Sequence, residues 1–286
     1  MTRERLQTGA EWDALFDVAA PTELERACRV EPVAAKVGQL VYRTRTIKAG
    51  PVTECEIYPV YGRQQETHAR KARENLSPER VQRANHAAAI RRIIRLANAN
   101  FGDEDLHVTL TYQDNPPDWD RAQKDVRNFL LKVKRLREKR EMDALKYIYT
   151  IEGDEDGTKE RIHIHLLMNG DMDREELERI WAKGYANADR LRPDENGLEA
   201  IARYIAKQQR NRRRWCASRN LKQPKSRTSE SRCRNSQVKR IAFNMQSEAK
   251  EQMEKIYPGY QFVKCSVRFS DVINGAYIRC VMRKKE

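Results

Sequence analysis

The sequence predicts an α+β protein in which helices cover an antiparallel central sheet. Between residues 101 and 210, short segments of alternating apolar and polar residues are interspersed with amphipathic segments of helical period. Their order is strand, helix, strand, strand, helix, strand, helix, as in the ferredoxin-like or RRM-like plan. The composition supports a folded chain, because 39% of the 286 residues are hydrophobic. We therefore expect a core at 101–210 with extensions on both sides.

The first hundred residues predict a β-hairpin followed by a long helix. The stretch GQLVYRTRTIKAGPVTECEIYPVYG contains two segments rich in Val, Tyr, Thr and Ile, joined by KAGP. Ser77 offers a capping hydroxyl, Pro78 suits a first turn and Glu79 complements the helix dipole. We expect the helix to continue to about residue 100. Residues 1–100 thus form an amino-terminal extension to which no motif assigns a role.

The core begins with the strand LHVTLTYQ, in which apolar residues occupy alternate positions. NPPDWD then interrupts the chain, and Asp118 or Asp120 can cap a long basic helix over residues 121–140. One side of that helix is apolar at helical spacing, through Val126, Phe129, Leu130 and Val133.

The second half of the core predicts a hairpin, a helix, a short strand and a final helix. The strands LKYIYTIE and RIHIHLLMN flank the turn GDEDGTK. DREELERIWAKG has the pattern of a short amphipathic helix, and YANADRL that of a short strand. GLEAIARYIAKQ predicts the last helix, whose apolar stripe is formed by Leu198, Ile201 and Ile205.

The positive charge of the chain is concentrated in one segment. The net charge is +14, and residues 203–240 hold fourteen Lys or Arg against the single acid Glu230. A localised cationic block favours a polyanionic partner, although it can also be a solvated tail. We predict a basic linker at 211–240 and a β-containing extension at 241–286. The expected DNA-contacting residues are Arg203, Arg210, Arg212, Arg213, Arg214, Trp215, Arg219, Lys222 and Lys225.

Several classes of protein are disfavoured. The six cysteines form no CxxC pair, which argues against a zinc ribbon and a compact disulfide scaffold. The first residues lack the order of a signal peptide and no run of apolar residues is long enough to span a bilayer, so we expect a cytoplasmic protein without membrane attachment. The deaminase pattern and the phosphate-binding loop GxxxxGK[ST] are both missing.

His163 and His165 are the most informative residues in the predicted sheet. Residues i and i+2 of a strand point to the same face, so the two imidazoles lie side by side. Glu152 ends the preceding strand and returns beside them in the hairpin, where it would complete a site for Mg²⁺ or Mn²⁺. The acids of the turn at 154–156 are rival ligands. The alternative is that both histidines merely occupy a solvated strand face.

Tyr204 and Lys207 lie three residues apart on the last predicted helix, on neighbouring positions of one face. The helical angle puts Tyr204 at the edge of the apolar stripe and Lys207 farther toward solvent. A tyrosine there can reach a phosphate bound over the sheet. The alternative is an amphipathic tyrosine with a packed ring and a hydrated hydroxyl.

LHVTLTY, then Glu152 followed by RIHIHLLMNG, then YIAK resemble the three ordered motifs of the HUH (His, hydrophobic, His) rolling-circle replication initiators. The resemblance is closest to phage and plasmid replication-associated proteins related to the filamentous-phage gene II replication endonuclease. It covers residues 106–210. In this chain it implies that His163, His165 and Glu152 bind a divalent cation, Mg²⁺ or Mn²⁺.

The resemblance also implies that Tyr204 attacks DNA and becomes linked to its 5′ phosphate, while Lys207 stabilises the developing charge. The implied partners are single-stranded DNA or an origin hairpin, with a separate helicase and polymerase of a bacterial host. In one respect the chain departs from the pattern. Members often carry a second tyrosine one turn later, whereas QQRNRRRW follows Lys207 here, which leaves termination of replication open.

Two other hypotheses remain. A relaxase or a single-tyrosine transposase would use the same cation and tyrosine chemistry, and genetic context would distinguish them. A non-catalytic module that binds single-stranded nucleic acid is the third possibility, because ferredoxin-like sheets with basic flanks commonly bind single strands.

Overall fold

The chain folds into two compact units. The computed structural model describes residues 40–61, 78–114, 118–153, 161–206, 215–230, 232–244, 246–270 and 275–285. The first unit, which we call the core unit, comprises residues 92–223. The second unit combines the described residues up to Arg91 with those from Pro224 onward.

The described residues form ten strands and six helices, all within an α+β architecture. In chain order they are β1 (Leu40–Ala49), β2 (Val52–Tyr61), α1 (Pro78–Asn100), β3 (Leu106–Thr111), α2 (Trp119–Lys139), β4 (Tyr147–Glu152), β5 (His163–Met168), α3 (Arg174–Trp181), β6 (Ala186–Arg190), α4 (Glu199–Ile205), β7 (Cys216–Ala217), β8 (Lys225–Ser229), α5 (Asn235–Asn244), α6 (Gln246–Ile256), β9 (Tyr260–Ser270) and β10 (Gly275–Lys284).

The core unit contains an antiparallel sheet in the order β6-β3-β5-β4-β7. Its first four strands, together with α2 and α3, follow the predicted β-α-β-β-α-β order, so this part of the prediction is confirmed. The side chain of Asp118 accepts a hydrogen bond from the Arg121 N–H, which makes Asp118 the cap of α2.

One face of this sheet packs against α2 and α3. Val108, Ile164 and Leu166 are completely buried there, as the alternation of the strands predicts. Phe129 of α2 and Trp181 of α3 meet edge-on in the same cluster, with ring centroids 6.0 Å apart. Packing on this face leaves the polar residues of β4 and β5 on the opposite face.

The second unit contains another antiparallel sheet, in the order β8-β1-β2-β10-β9. The predicted hairpin is present, with β1 and β2 joined at Gly50–Pro51. Helices α5 and α6 contribute Val238, Ile241 and Met253 to a core shared with this sheet. The predicted amino- and carboxy-terminal extensions therefore differ from the structure, because β10 pairs directly with β2.

The basic linker predicted at 211–240 also differs from the structure. Its described part contains β7, which pairs with β4, then β8, which pairs with β1, and the start of α5. Strand β8 has almost no apolar residue because it is an exposed edge strand, so it lacks the alternation by which strands are recognised. Among the described residues, no helix has the length and apolar content needed to span a bilayer.

Candidate metal and DNA-cleavage site

The polar face of the core sheet brings two rows of side chains together. In the first row Glu152 of β4 lies opposite His163 of β5, which lies opposite Thr111 of β3. In the second row His165 lies between Thr109 and Thr150. Directly opposed residues of antiparallel strands share a face, so one surface carries both histidines and Glu152. The predicted hairpin that returns Glu152 to the histidines is confirmed.

Glu152, His163 and His165 converge closely enough to share one cation. Glu152 Oε2 lies 3.4 Å from His163 Nε2 and 3.9 Å from His165 Nε2. One ligand atom from each residue lies within 4.8 Å of those of the other two. Two ligands in adjacent positions around Mg²⁺ or Mn²⁺ lie about 3 Å apart, so small side-chain movements suffice for coordination. The rival acids at 154–156 lie outside the described residues.

The hydrogen bonds of the histidines favour metal binding through Nε2. His163 Nδ1 donates to the carbonyl oxygen of Arg161 over 3.0 Å, because a carbonyl can only accept. The Nε2 atom of a neutral His163 ring then carries the lone pair that a cation requires. His165 Nδ1 lies 3.4 Å from Thr109 Oγ1, which orients that ring in the same way.

Burial makes this site chemically demanding. His165 is 3% exposed, and Glu152 Oε1 is buried without a hydrogen-bond partner among the described residues. A buried carboxylate oxygen without a partner is costly, and a cation between the carboxylate and the imidazoles would remove that cost. The donor set of two imidazoles and one carboxylate therefore fits a divalent cation.

Tyr204 lies directly over this triad. Its ring is 4.8 Å from that of His165, at an interplanar angle of 71°. Helix α4 holds it there, since the Leu198 N–H donates to Asn98 Oδ1 over 2.7 Å and joins the start of α4 to α1. Tyr204 is 42% exposed, as its predicted position at the edge of the apolar stripe requires. A substrate can thus approach its side chain from solvent.

The predicted DNA contacts are distributed over several elements. Arg203 forms an ion pair with Glu199, over 2.9 Å, on the helix that carries Tyr204. Trp215 immediately precedes β7, and the Arg92 guanidinium lies 5.7 Å from the centre of its ring. The side chain of Lys222 is exposed, whereas its N–H and carbonyl bond to Asn100.

The remaining predicted residues fall into two groups. Arg219 is exposed in the core unit, and Lys225 belongs to β8 of the second unit. Lys207, Arg210, Arg212, Arg213 and Arg214 lie outside the described residues.

Sequence reasoning missed two neighbours of the site. His107, considered an ordinary histidine, stacks on His165 with ring centroids 5.5 Å apart. Burial lowers the pKa of His107, and the nearby Asp189 carboxylate opposes this shift, which favours a neutral ring beside the triad. Tyr185 precedes β6, and its carbonyl accepts a hydrogen bond from the Thr111 N–H over 2.8 Å.

Tyr185 therefore extends the row of Thr111, His163 and Glu152 by one strand. It is 81% exposed and lines a groove of about 640 Å³ together with Arg121 and Lys183. The spacing of strands puts its Cα about 10 Å from that of His163. Its exposure could not be read from the sequence, because YANADRL alone does not show what covers the tyrosine.

Comparison with known proteins supports a role in replication. Residues 105–209 match the model of the replication-associated protein family that is described by its ORF2 and gene II protein members. The match begins just before β3 and extends a few residues beyond α4, so it includes the triad and Tyr204. A match to this replication-associated family supports a replication initiator. No curated protein and no solved structure matched the chain significantly.

The match to the replication-associated family involves the core unit alone. It ends before β7 and includes no strand of the second unit. The nucleic-acid substrate expected for a replication-associated protein is therefore best sought at the polar face of β4 and β5.

Proposed function

We propose that the protein is a metal-dependent, site-specific endonuclease and strand transferase for single-stranded DNA, which initiates rolling-circle replication. The observation that supports this most directly is the contact of the Tyr204 ring with His165, inside a triad that fits a divalent cation. A potential nucleophile and a potential cation site thus meet at one exposed place.

In this proposal each residue has one task. Glu152, His163 and His165 hold the cation, which when bound polarises the scissile phosphate as a Lewis acid. The Tyr204 oxygen forms a bond to phosphorus, its proton passes to solvent, and the bond from phosphorus to the 3′ oxygen breaks. The 3′ oxygen takes up a proton and becomes the primer end. Lys207 is proposed to stabilise the charge on the phosphate.

The covalent linkage explains why a tyrosine would be used in place of water. A phosphotyrosine retains the energy of the phosphodiester, so a free 3′ hydroxyl can later attack it and restore the DNA strand. A polymerase of the host would extend the 3′ hydroxyl, and a separate helicase would unwind the duplex.

The donor set favours Mn²⁺ over Mg²⁺ in the proposed site. Mg²⁺ prefers oxygen ligands and gives up its water reluctantly, whereas two of the three protein donors here are imidazole nitrogens. We expect activity with both ions and a lower saturating concentration for Mn²⁺.

The test is incubation of the protein with end-labelled single-stranded DNA carrying candidate origin hairpins, in Mn²⁺ or in EDTA. A denaturing gel should show a slower band that depends on Mn²⁺ and disappears after protease treatment. Cleavage without such a band would indicate a hydrolytic nuclease. DNA that remains intact with every origin substrate would contradict the proposal.

Tyr185 is proposed to stack a base close to the cleaved phosphate. Stacking on an exposed aromatic ring contributes about 1–3 kcal/mol per base, so Tyr185→Ala should weaken single-strand binding roughly 5- to 150-fold. Tyr185→Phe keeps the ring and should bind like the unmodified protein. Fluorescence anisotropy with labelled single strands measures both. Equal affinity of Tyr185→Ala and Tyr185→Phe would exclude a stacking role.

A further inference from the structure

Four cations converge at one edge of the second sheet, and we call them the edge cluster: Lys48, Lys225, Arg227 and Arg232. Lys225 of β8 lies directly opposite Lys48 of β1, and Arg227 lies opposite Thr46. Because opposed residues share a face, and residues two apart in a strand do too, Lys48, Lys225 and Arg227 lie on one side of the sheet.

Two tyrosines place Arg232 on the same side. Thr46 Oγ1 is hydrogen-bonded to the Tyr257 hydroxyl over 2.5 Å, and the Arg232 guanidinium lies 5.2 Å from the Tyr257 ring centre. Lys48 Nζ lies 5.8 Å from the ring centre of Tyr260. The edge cluster therefore surrounds a small aromatic base at the exposed border of the unit.

The edge cluster is not neutralised within the described part of the chain. None of its four cations forms an ion pair with a carboxylate of a described residue, whereas Arg43 pairs with Glu230 and Arg279 with Glu54. Like charges directly opposite each other in a sheet are destabilising, and Lys48 and Lys225 are such a pair. A polyanion bound at this edge would relieve that repulsion.

The character of the surface favours the backbone of a DNA duplex. Lys225 and Arg227 are exposed on an edge strand and can extend to phosphates. The rings beneath the cluster do not offer a stacking platform, since Tyr257 is buried and Tyr260 half-buried under Lys48. Contacts to phosphates without stacking are typical of duplex binding, whereas single strands stack on exposed rings.

We infer that the second unit binds double-stranded DNA through its phosphates at the edge cluster. This assigns a role to the strands outside the family match, and it is independent of the nicking chemistry proposed for the core unit. The protein would then hold duplex DNA through one unit while the other unit acts on a single strand.

The first test is the double variant Lys225→Thr/Arg227→Thr, which removes two charges and keeps residues that favour strands. Its affinity for a labelled duplex should fall roughly tenfold at moderate salt, and the slope of log K against log salt should decrease by about 0.9 per lost phosphate contact. The matched control, Lys250→Ala/Lys255→Ala in α6, removes the same charge from the same unit and should change neither. An unchanged slope in the first variant would overturn the inference.

A second variant separates binding from folding. Lys48→Glu replaces a repulsive pair by an attractive one, so it should raise the Tm by about 2 °C while weakening duplex binding. A purely structural role would not produce a more stable protein with lower affinity. If single strands of equal length lost affinity as much as the duplex, the edge cluster would be a single-strand site and the inference would be wrong. Loss of duplex binding with intact nicking of single strands would support it.

Discussion

Replacing Tyr204 by phenylalanine is expected to abolish the covalent protein–DNA product. The change removes one oxygen atom and keeps the ring that packs 4.8 Å from His165, so the fold and the triad should be preserved. Without the nucleophile, cleavage should fall at least about 10³-fold, because the remaining groups only position and polarise the phosphate. A denaturing gel with end-labelled single-stranded DNA and Mn²⁺ measures both adduct and cleavage.

The matched control is Tyr185→Phe. It removes the same hydroxyl from another exposed tyrosine of the core unit, at 81% exposure compared with 42% for Tyr204. Adduct formation should be unaffected by it. An adduct of normal yield in Tyr204→Phe would assign the nucleophile elsewhere. Loss of adduct in both variants would mean that the hydroxyls act together.

The core of the fold could be predicted because its signals are local. Val108, Leu110 and Ile164 alternate with polar residues, and burial of one face is what enforces that alternation. The cap of α2 could be predicted for the same reason, since Asp118 bonds to an N–H only three residues away. These interactions give the element order directly.

The pairing of distant segments could not be predicted. Strand β10 lies beside β2 and strand β8 beside β1, although these partners are far apart in sequence. Such pairing depends on the whole sheet, not on a local pattern. Arg137 shows the same limit, because a residue of a basic helix is buried and donates to the carbonyls of Asp143 and Gly170.

The candidate site divides in the same manner. The spacing of His163 and His165 and the hairpin to Glu152 follow from strand geometry, which the sequence contains. The approach of His107 and Tyr185 depends on the register of β3 with its two neighbours, which only the assembled sheet defines. The ligands were thus easier to find than the surface that would receive the DNA.

Replacing His165 by alanine is expected to remove high-affinity Mn²⁺ binding. His165 contributes a buried Nε2 between Glu152 and the ring of Tyr204, so no water can take its place without rearrangement. Changes in residues that only support a metal ligand typically cost 10–100-fold in affinity, so loss of a ligand should cost at least about 100-fold. Calorimetric titration with Mn²⁺ measures this without requiring a DNA substrate.

Because His165 is buried, the alanine variant also needs a partner that preserves volume. Glu152→Gln keeps the shape of the side chain and removes its charge, and it should likewise weaken Mn²⁺ binding while leaving the Tm nearly unchanged. Both variants should lose adduct formation in proportion to their loss of Mn²⁺. If both bound Mn²⁺ normally, the triad would not be the metal site. If both lost Mn²⁺ but still formed the adduct, Tyr204 would act without the cation, and only the metal-dependent part of the proposed mechanism would be wrong.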